Sequence, residues 1–492
     1  MNPRKTSLIL ALSVAVAACG GGSGSDAPPP SSGGTTPPQS GGIGRTGLAV
    51  GPISNFGSVV VNGVRYDTSA ATFTVDDMPG TEADLAVGQV VIVKGSIDAD
   101  GVNGTADEVI YDDALEGPIS AIDIGAGTIT VLGQTVIIDA GTSFDDDFLV
   151  GGIEGLQVND VIEVSGFVTS DGSIIATRIE LDDDNDEFER KGIVESLDTS
   201  ALTFNLGSLV VDYSAAVLED FPSGDIADGN LVEAEGTIDP NDAGRLIASK
   251  IEFEDPLGEF DTDDDVELEG LVTRFVSETD FDVNGIPVTT DGDTEFENGA
   301  AADIGLDVRI EVEGEFTAGG TLLADEIDFR LDEDTTIEAT VDAVDETAGT
   351  LTVLGISITT DALTRFEDQS SLADDLPLNL SDINVGDYLE IEGVESPANS
   401  DRVVATRIER EDDPDEVALS GLVDAVAEPT LTVLGVTIET NAETEFEGAD
   451  DQPLTATVFF ATVAAGAVIE VTGVESSDAV IIADEIEIED DD

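Results

Sequence analysis

The sequence predicts an all-β protein: six small five-stranded barrels of the OB type in tandem, carried behind a disordered N-terminal tether. Three repeated phrases predict it. The letters TLTVLG stand at residues 350–355 and again at 430–435, with TITVLG at 128–133, and the glycine that closes the phrase recurs as Gly63, Gly133, Gly207, Gly285, Gly355 and Gly435, every 70 to 80 residues. A second phrase, apolar residues alternating with mostly polar ones, ends at Gly95, Gly166, Gly236, Gly314, Gly393 and Gly473. A third opens at Ala106, Ala176, Ala248, Ala324, Ala405 and Ala483 and reads ATRIE, ADEIE or a near variant. Three phrases in one order, six times over, define a tandem array.

The elements follow in chain order. Residues 1–18 carry Arg4 and Lys5, then a short apolar run from Leu8 to Ala18. That run is too short to span a bilayer as a helix and reads as a secretory signal. Val16, Ala17 and Ala18 before Cys19 resemble the lipobox of bacterial lipoproteins, which makes Cys19 the acylated first residue of the mature chain; by the same resemblance, Gly20 directs it to the outer membrane. Cys19 is the only cysteine, so no disulfide competes for it. Residues 19–45 are rich in Gly, Ser and Pro, cannot bury a core and form a tether whose ends lie ~25 to 30 Å apart on average. The repeats then occupy 46–116, 117–190, 191–266, 267–335, 336–416 and 417–492.

Within a repeat each phrase has the period of a strand. Leu351, Val353, Ile356 and Ile358 alternate with Thr and Ser, so one face turns inward. Gly355 between the two runs suits a hairpin turn that needs positive φ. An opening strand such as GIVESL at 192–197 precedes this hairpin, and the second and third phrases make a closing hairpin. A variable stretch between the hairpins ends in ADLAVGQ at 83–89 or SDINVGD at 381–387, where Asp or Ser starts one helical turn. Three strands, a connecting turn and two more strands give a small closed barrel that leaves no exposed edge. A small β-sandwich fits the same periodicity, whereas a solenoid does not, because its repeats are shorter. The pattern predicts six separate hydrophobic nuclei in a row.

The repeat, with its TVxG turn, its VGDxVEVEG strand and its ATRIE closing strand, resembles a small β-barrel domain of unknown function that occurs in tandem in secreted bacterial lipoproteins. The resemblance covers residues 46–492 and implies fold and location, with no catalytic or binding residue to carry over. Repeats three and six depart most: Asn205 and Leu206 shift the turn in one, and TATVFFATVAAGA at 455–467 replaces the polar lead-in of the other.

Charge sets the chemistry. Seventeen basic residues face 107 acidic ones, a net charge of −90, and there is no histidine and no tryptophan. Such a surface repels nucleic acid and other polyanions, whose phosphate contacts need Lys and Arg. The absence of histidine removes Ser-His-Asp and Cys-His catalysis and histidine zinc sites. Carboxylate pairs suffice for glycoside hydrolysis, but 107 acids guarantee a pair and so point nowhere in particular. The chain is expected to be a non-catalytic, acidic, multi-domain scaffold, spacer or binding module of the cell envelope. It would be held to the membrane by its lipid and facing a protein or glycan partner; a calcium-dependent adhesin and a carboxylate-only glycan-active enzyme are the alternatives. No cofactor is required, and calcium is the candidate ion, since it takes six to eight hard oxygen ligands. Its candidate ligands fall in two kinds of place. Asp98 and Asp100 flank Gly101 in a loop faintly like a calcium loop, although a plain hairpin turn is the better reading there. Acidic runs also mark the repeat junctions: Asp112 and Asp113, then Asp182, Asp183, Asp184 and Asp186, then Asp261, Asp263, Asp264 and Asp265, with further runs at 332–334 and 411–416. Solvated spacers that repel one another are the simpler account of these runs.

Overall fold

The computed structural model describes residues 45–489 except 57, 99–100, 146–147, 149–151, 183–187, 223, 255–264, 331–334, 371–377, 396–401, 415, 449–451 and 478. The signal segment, Cys19 and nearly all of the tether therefore lie outside the described residues.

The fifth barrel shows the plan. Its strands are Thr335–Asp345, Thr350–Val353, Ile356–Thr359, Tyr388–Glu395 and Arg402–Glu411. The first pairs with the second, the second with the third, the fourth with the fifth and the first with the fourth, all antiparallel, while the third lies parallel to the fifth. The circuit closes in the order 1-2-3-5-4-1, the five-stranded OB-type barrel expected from the sequence. All six repeats close the same way, as the parallel third-to-fifth pairing of each attests.

The repeated phrases have local causes. Leu354 and Gly355 both sit in the left-handed region, at φ 51° and 76°, the two-residue turn whose twist matches the hairpin. The glycine ending the second phrase lies at a β-bulge opposite the alanine opening the third, as with Gly393 and Ala405. A Cβ on that glycine would run into the carbonyl of Val404, and the same clash recurs at the other five copies.

The variable stretch contains an element that periodicity does not reveal. A short strand, Arg365–Asp368 in barrel 5, lies parallel on the fifth strand beyond the end of the third. The loop leading into it is pinned by the buried Thr364, whose Oγ1 donates to Ala405 O at 2.8 Å and accepts from Asp361 N at 3.0 Å. Thr142, Thr294 and Thr444 make the matching bond to Ala176, Ala324 and Ala483. The expected helical turn follows in barrels 1, 2, 4 and 5 as a 3-10 turn such as Leu380–Asp382. In barrel 6 it is a true helix, Ala456–Thr462, capped by Thr455, which explains the apolar lead-in there.

The barrels are not beads in a row. First strands pair across barrels: Thr335–Asp345 of barrel 5 runs antiparallel to Val417–Ala427 of barrel 6, and Leu115–Asp123 of barrel 2 antiparallel to Phe188–Asp198 of barrel 3. Arg45–Asn55 of barrel 1 runs parallel to Asp265–Ser277 of barrel 4. Three fused sheets result. The expectation of six separate nuclei is corrected: barrels 5 and 6 share one apolar core, barrels 2 and 3 share another, and barrels 1 and 4 keep their own. The turn residue distinguishes the two cases. Leu132, Leu354 and Leu434 are buried within the shared cores, whereas barrels 1 and 4 carry Asn62 and Asn284, whose side chains bond the backbone of the first strands. Burying a leucine offsets the ~1 kcal/mol that a left-handed branched residue costs. The fused pairs also touch one another, through Ser143 Oγ to Glu367 Oε1 at 2.6 Å and Gln89 Nε2 to Glu180 Oε2 at 2.6 Å, among other bonds.

Candidate metal centre

Because the barrels pack side by side, many outward-facing residues of the strands are not in water. The consequence is sharpest where barrels 1, 2 and 3 meet. The alternating glutamates of facing strands fall in register there: Glu180 opposite Glu163, Glu163 opposite Glu116, Glu116 opposite Glu189 and Glu189 opposite Glu235. Like charges directly opposite repel. Burial, and then the neighbouring carboxylates, push Glu163 up to about 8 and Glu189 up to about 7. Burial and a hydrogen bond with Asp182 push Glu116 up to about 9.

Beside this ladder stand three groups in which three carboxylate oxygens lie within 4.8 Å of one another: Asp76, Asp112 and Asp113; Asp112, Glu233 and Glu254; and Asp77, Glu233 and Glu235. Asp76 and Asp77 form the left-handed turn between the short strands Thr72–Val75 and Met78–Gly80 of barrel 1. Asp112 and Asp113 follow its fifth strand, Asn103–Tyr111, and lead into barrel 2. Glu233 and Glu235 lie on the fourth strand of barrel 3, Leu231–Asp239.

Two groups already hold a cation. The Lys250 ammonium sits 2.7 Å from Asp77 and 2.8 Å from Glu252, and also contacts Glu235. Lys191 contacts Asp112 and lies 3.4 Å from Glu233. Burial works against the charge on Lys191, but Asp112, Glu233 and Glu254 outweigh it and raise its pKa. The remaining group is differently furnished. Asp113 is 4% exposed, and its Oδ2, like Oδ1 of Asp76, finds no hydrogen-bond donor among the described residues. Burial, and next the charge of Glu189, push Asp113 well above the carboxylate range, and burial with Asp112 lifts Asp76 to about 6.

Of the ligands expected from sequence, Asp100, Asp183, Asp184, Asp186, Asp261, Asp263 and Asp264 lie outside the described residues. Asp98 is exposed at the ordinary hairpin turn between the fourth and fifth strands of barrel 1, where its N–H donates to Asn103 O at 2.7 Å. Asp182 is half-buried at the end of the glutamate ladder, and Asp265 starts the first strand of barrel 4, in register with Gly47. None of these three belongs to a three-carboxylate group. Asp112 and Asp113 were visible as a junction; Asp76 was not, because it comes from the variable stretch between the phrases that end at Gly63 and Gly95 and has no counterpart phrase of its own.

A cavity of about 280 Å³ lies where barrels 1, 4 and 5 meet, lined in part by Glu269, Asp328, Arg309, Arg330 and Arg365. Its carboxylates are engaged: Arg309 lies 2.7 Å from Glu269, and Arg330 lies 3.2 Å from Glu269 and 2.6 Å from Asp328. The two arginines hold Glu269 below the carboxylate range despite its burial.

The fold and these junctions define a tandem array of OB-type barrels joined through their first strands, with acidic seams between them. The chain belongs to the family described as "Domain of unknown function (DUF5666)", which matches six times, at residues 50–109, 116–180, 191–252, 269–328, 338–409 and 420–487. Comparison with curated proteins finds no match.

Proposed function

We propose that the protein is a non-catalytic scaffold or spacer of the bacterial cell envelope, lipid-anchored through Cys19 to the outer membrane and stiffened at its acidic seams by calcium. The observation that carries this reading is the use of the positions that recur from repeat to repeat for closure and packing. The bulge glycines, the alanines opposite them and the buried threonines all serve the barrel itself. Arg309, Arg330, Glu269 and Asp328 of the cavity between barrels 1, 4 and 5 are spent on one another, which supports a structural role for them. A net charge of −90 supports partners other than nucleic acid, such as an envelope protein or glycan. Among the described residues no helix is long and apolar enough to cross a membrane.

The anchor is tested by labelling growing cells with a radioactive fatty acid. The wild-type chain takes up label and partitions with outer-membrane vesicles, and Cys19→Ala does neither. Equal labelling of both, or a Cys19→Ala chain that stays in the membrane fraction, refutes the anchor.

A further inference from the structure

We propose that Asp76, Asp112 and Asp113 form the protein side of a specific calcium site that fastens the barrel 1 turn to the linker between barrels 1 and 2. The proposal deepens the scaffold reading and borrows from it only the ion's role as a stiffener.

The three neighbouring acidic groups make an internal comparison. In two of them a lysine ammonium already bridges the carboxylates. The third shares Lys191 only through Asp112, and it alone contains a carboxylate that is both nine-tenths buried and short of a donor, Asp113 through Oδ2. Asp76 adds a second donorless oxygen, Oδ1, while its turn is held in place by Asp76 N donating to Tyr111 O at 3.1 Å. The phenol of Tyr111, fully buried and also without a partner among the described residues, feels the charges of Asp113 and Asp76. A buried carboxylate oxygen with no donor is a standing cost that a bound cation removes.

The donor set selects the ion. Three carboxylates offer up to six hard oxygens, within the number calcium takes, in flexible geometry. Magnesium gives up its water reluctantly and needs a near-ideal octahedron, which a turn and a linker brought together by packing supply poorly. Monovalent ions bring too little charge to offset three aspartates together with the adjacent glutamate ladder. A bound ion would join three parts of the molecule, since Asp112 also contacts Lys191 on the first strand of barrel 3.

The test uses the full-length mature chain, stripped with chelator and titrated with calcium chloride by calorimetry, then with terbium, whose luminescence a nearby tyrosine sensitises. One saturable step, above the diffuse binding of the acidic surface, is expected at about one ion per chain. Asp113→Asn and Asp76→Asn should each weaken that step about tenfold or more. Asp98→Asn, in the exposed hairpin turn, should leave it unchanged. Tyr111→Phe should keep the calcium step and lose most of the sensitised emission, a readout that holds even if an aspartate variant fails to fold. A wild-type chain with only diffuse binding, an unchanged step in both aspartate variants, or undiminished emission from Tyr111→Phe overturns the site. None of these outcomes bears on Cys19 acylation, so the site and the anchor fail separately.

Discussion

Replacing Glu163 by glutamine should make the protein more stable in mild alkali and leave it unchanged in mild acid. Glu163 is half-buried on the fourth strand of barrel 2, with Glu180 on one side of it in register and Glu116 on the other. Its pKa of about 8 stands against an ordinary 4.5. A carboxyl whose proton is held more tightly in the fold than in the open chain stabilises the fold below the ordinary value, and that stability is lost as pH climbs towards 8. At 1.36 kcal/mol per tenfold change in proton affinity, the loss by pH 8 has an upper bound of about 4 kcal/mol. Solvent still reaches the side chain, and Glu116 and Glu189 share the proton population, so about 1–2 kcal/mol is the expected effect of the single substitution. The assay is the thermal transition followed by circular dichroism in chelator from about pH 5 to about pH 8.5. Wild-type protein should melt earlier as pH rises. Glu163→Gln should flatten that slope and raise the transition at the alkaline end by about 3–6 °C. A wild-type transition indifferent to pH over this range, or a variant that keeps the wild-type slope, refutes a repulsive glutamate ladder.

Three further substitutions probe the packing. Gly393→Ala places a methyl group against the Val404 carbonyl across the bulge and should destabilise the fused barrels 5 and 6 by about 1–3 kcal/mol, read as an earlier melt. Thr364→Val leaves Ala405 O without its side-chain donor and Asp361 N without its acceptor, at about 1–3 kcal/mol, with faster amide exchange along Arg365–Asp368 as the local readout. Leu354→Asn eases a left-handed backbone but strips a fully buried side chain from the shared core; burial outweighs strain, and the net loss should be about 1–2 kcal/mol in the same melt. An unchanged or later melt in that last variant would mean that Leu354 does not hold the two barrels together.

Strand order, closure and the turn glycine were legible in the sequence, because they rest on local rules. Alternation with a period of two assigns Leu351, Val353, Ile356 and Ile358 to the interior, and Gly355 marks a left-handed turn, whereas the bulge that requires Gly393 and its five counterparts came only from the structure. The short parallel strand was missed, although its signal is present: Asp361 and Thr364, like Asp139 and Thr142, stand three residues apart after the third strand of their repeats. The acidic centre was half legible. Asp112 and Asp113 showed as a charged junction, while nothing in the sequence singled out Asp76, Glu163 and Glu189. Period-two alternation separates inward from outward, but outward means water only if nothing packs there. That barrel 1 lies against barrel 4 across some two hundred residues, and that barrels 2 and 3 bring glutamates face to face, are outcomes of non-local strand pairing. Tertiary structure alone decided them, and with them which of the 107 acidic side chains lost their water.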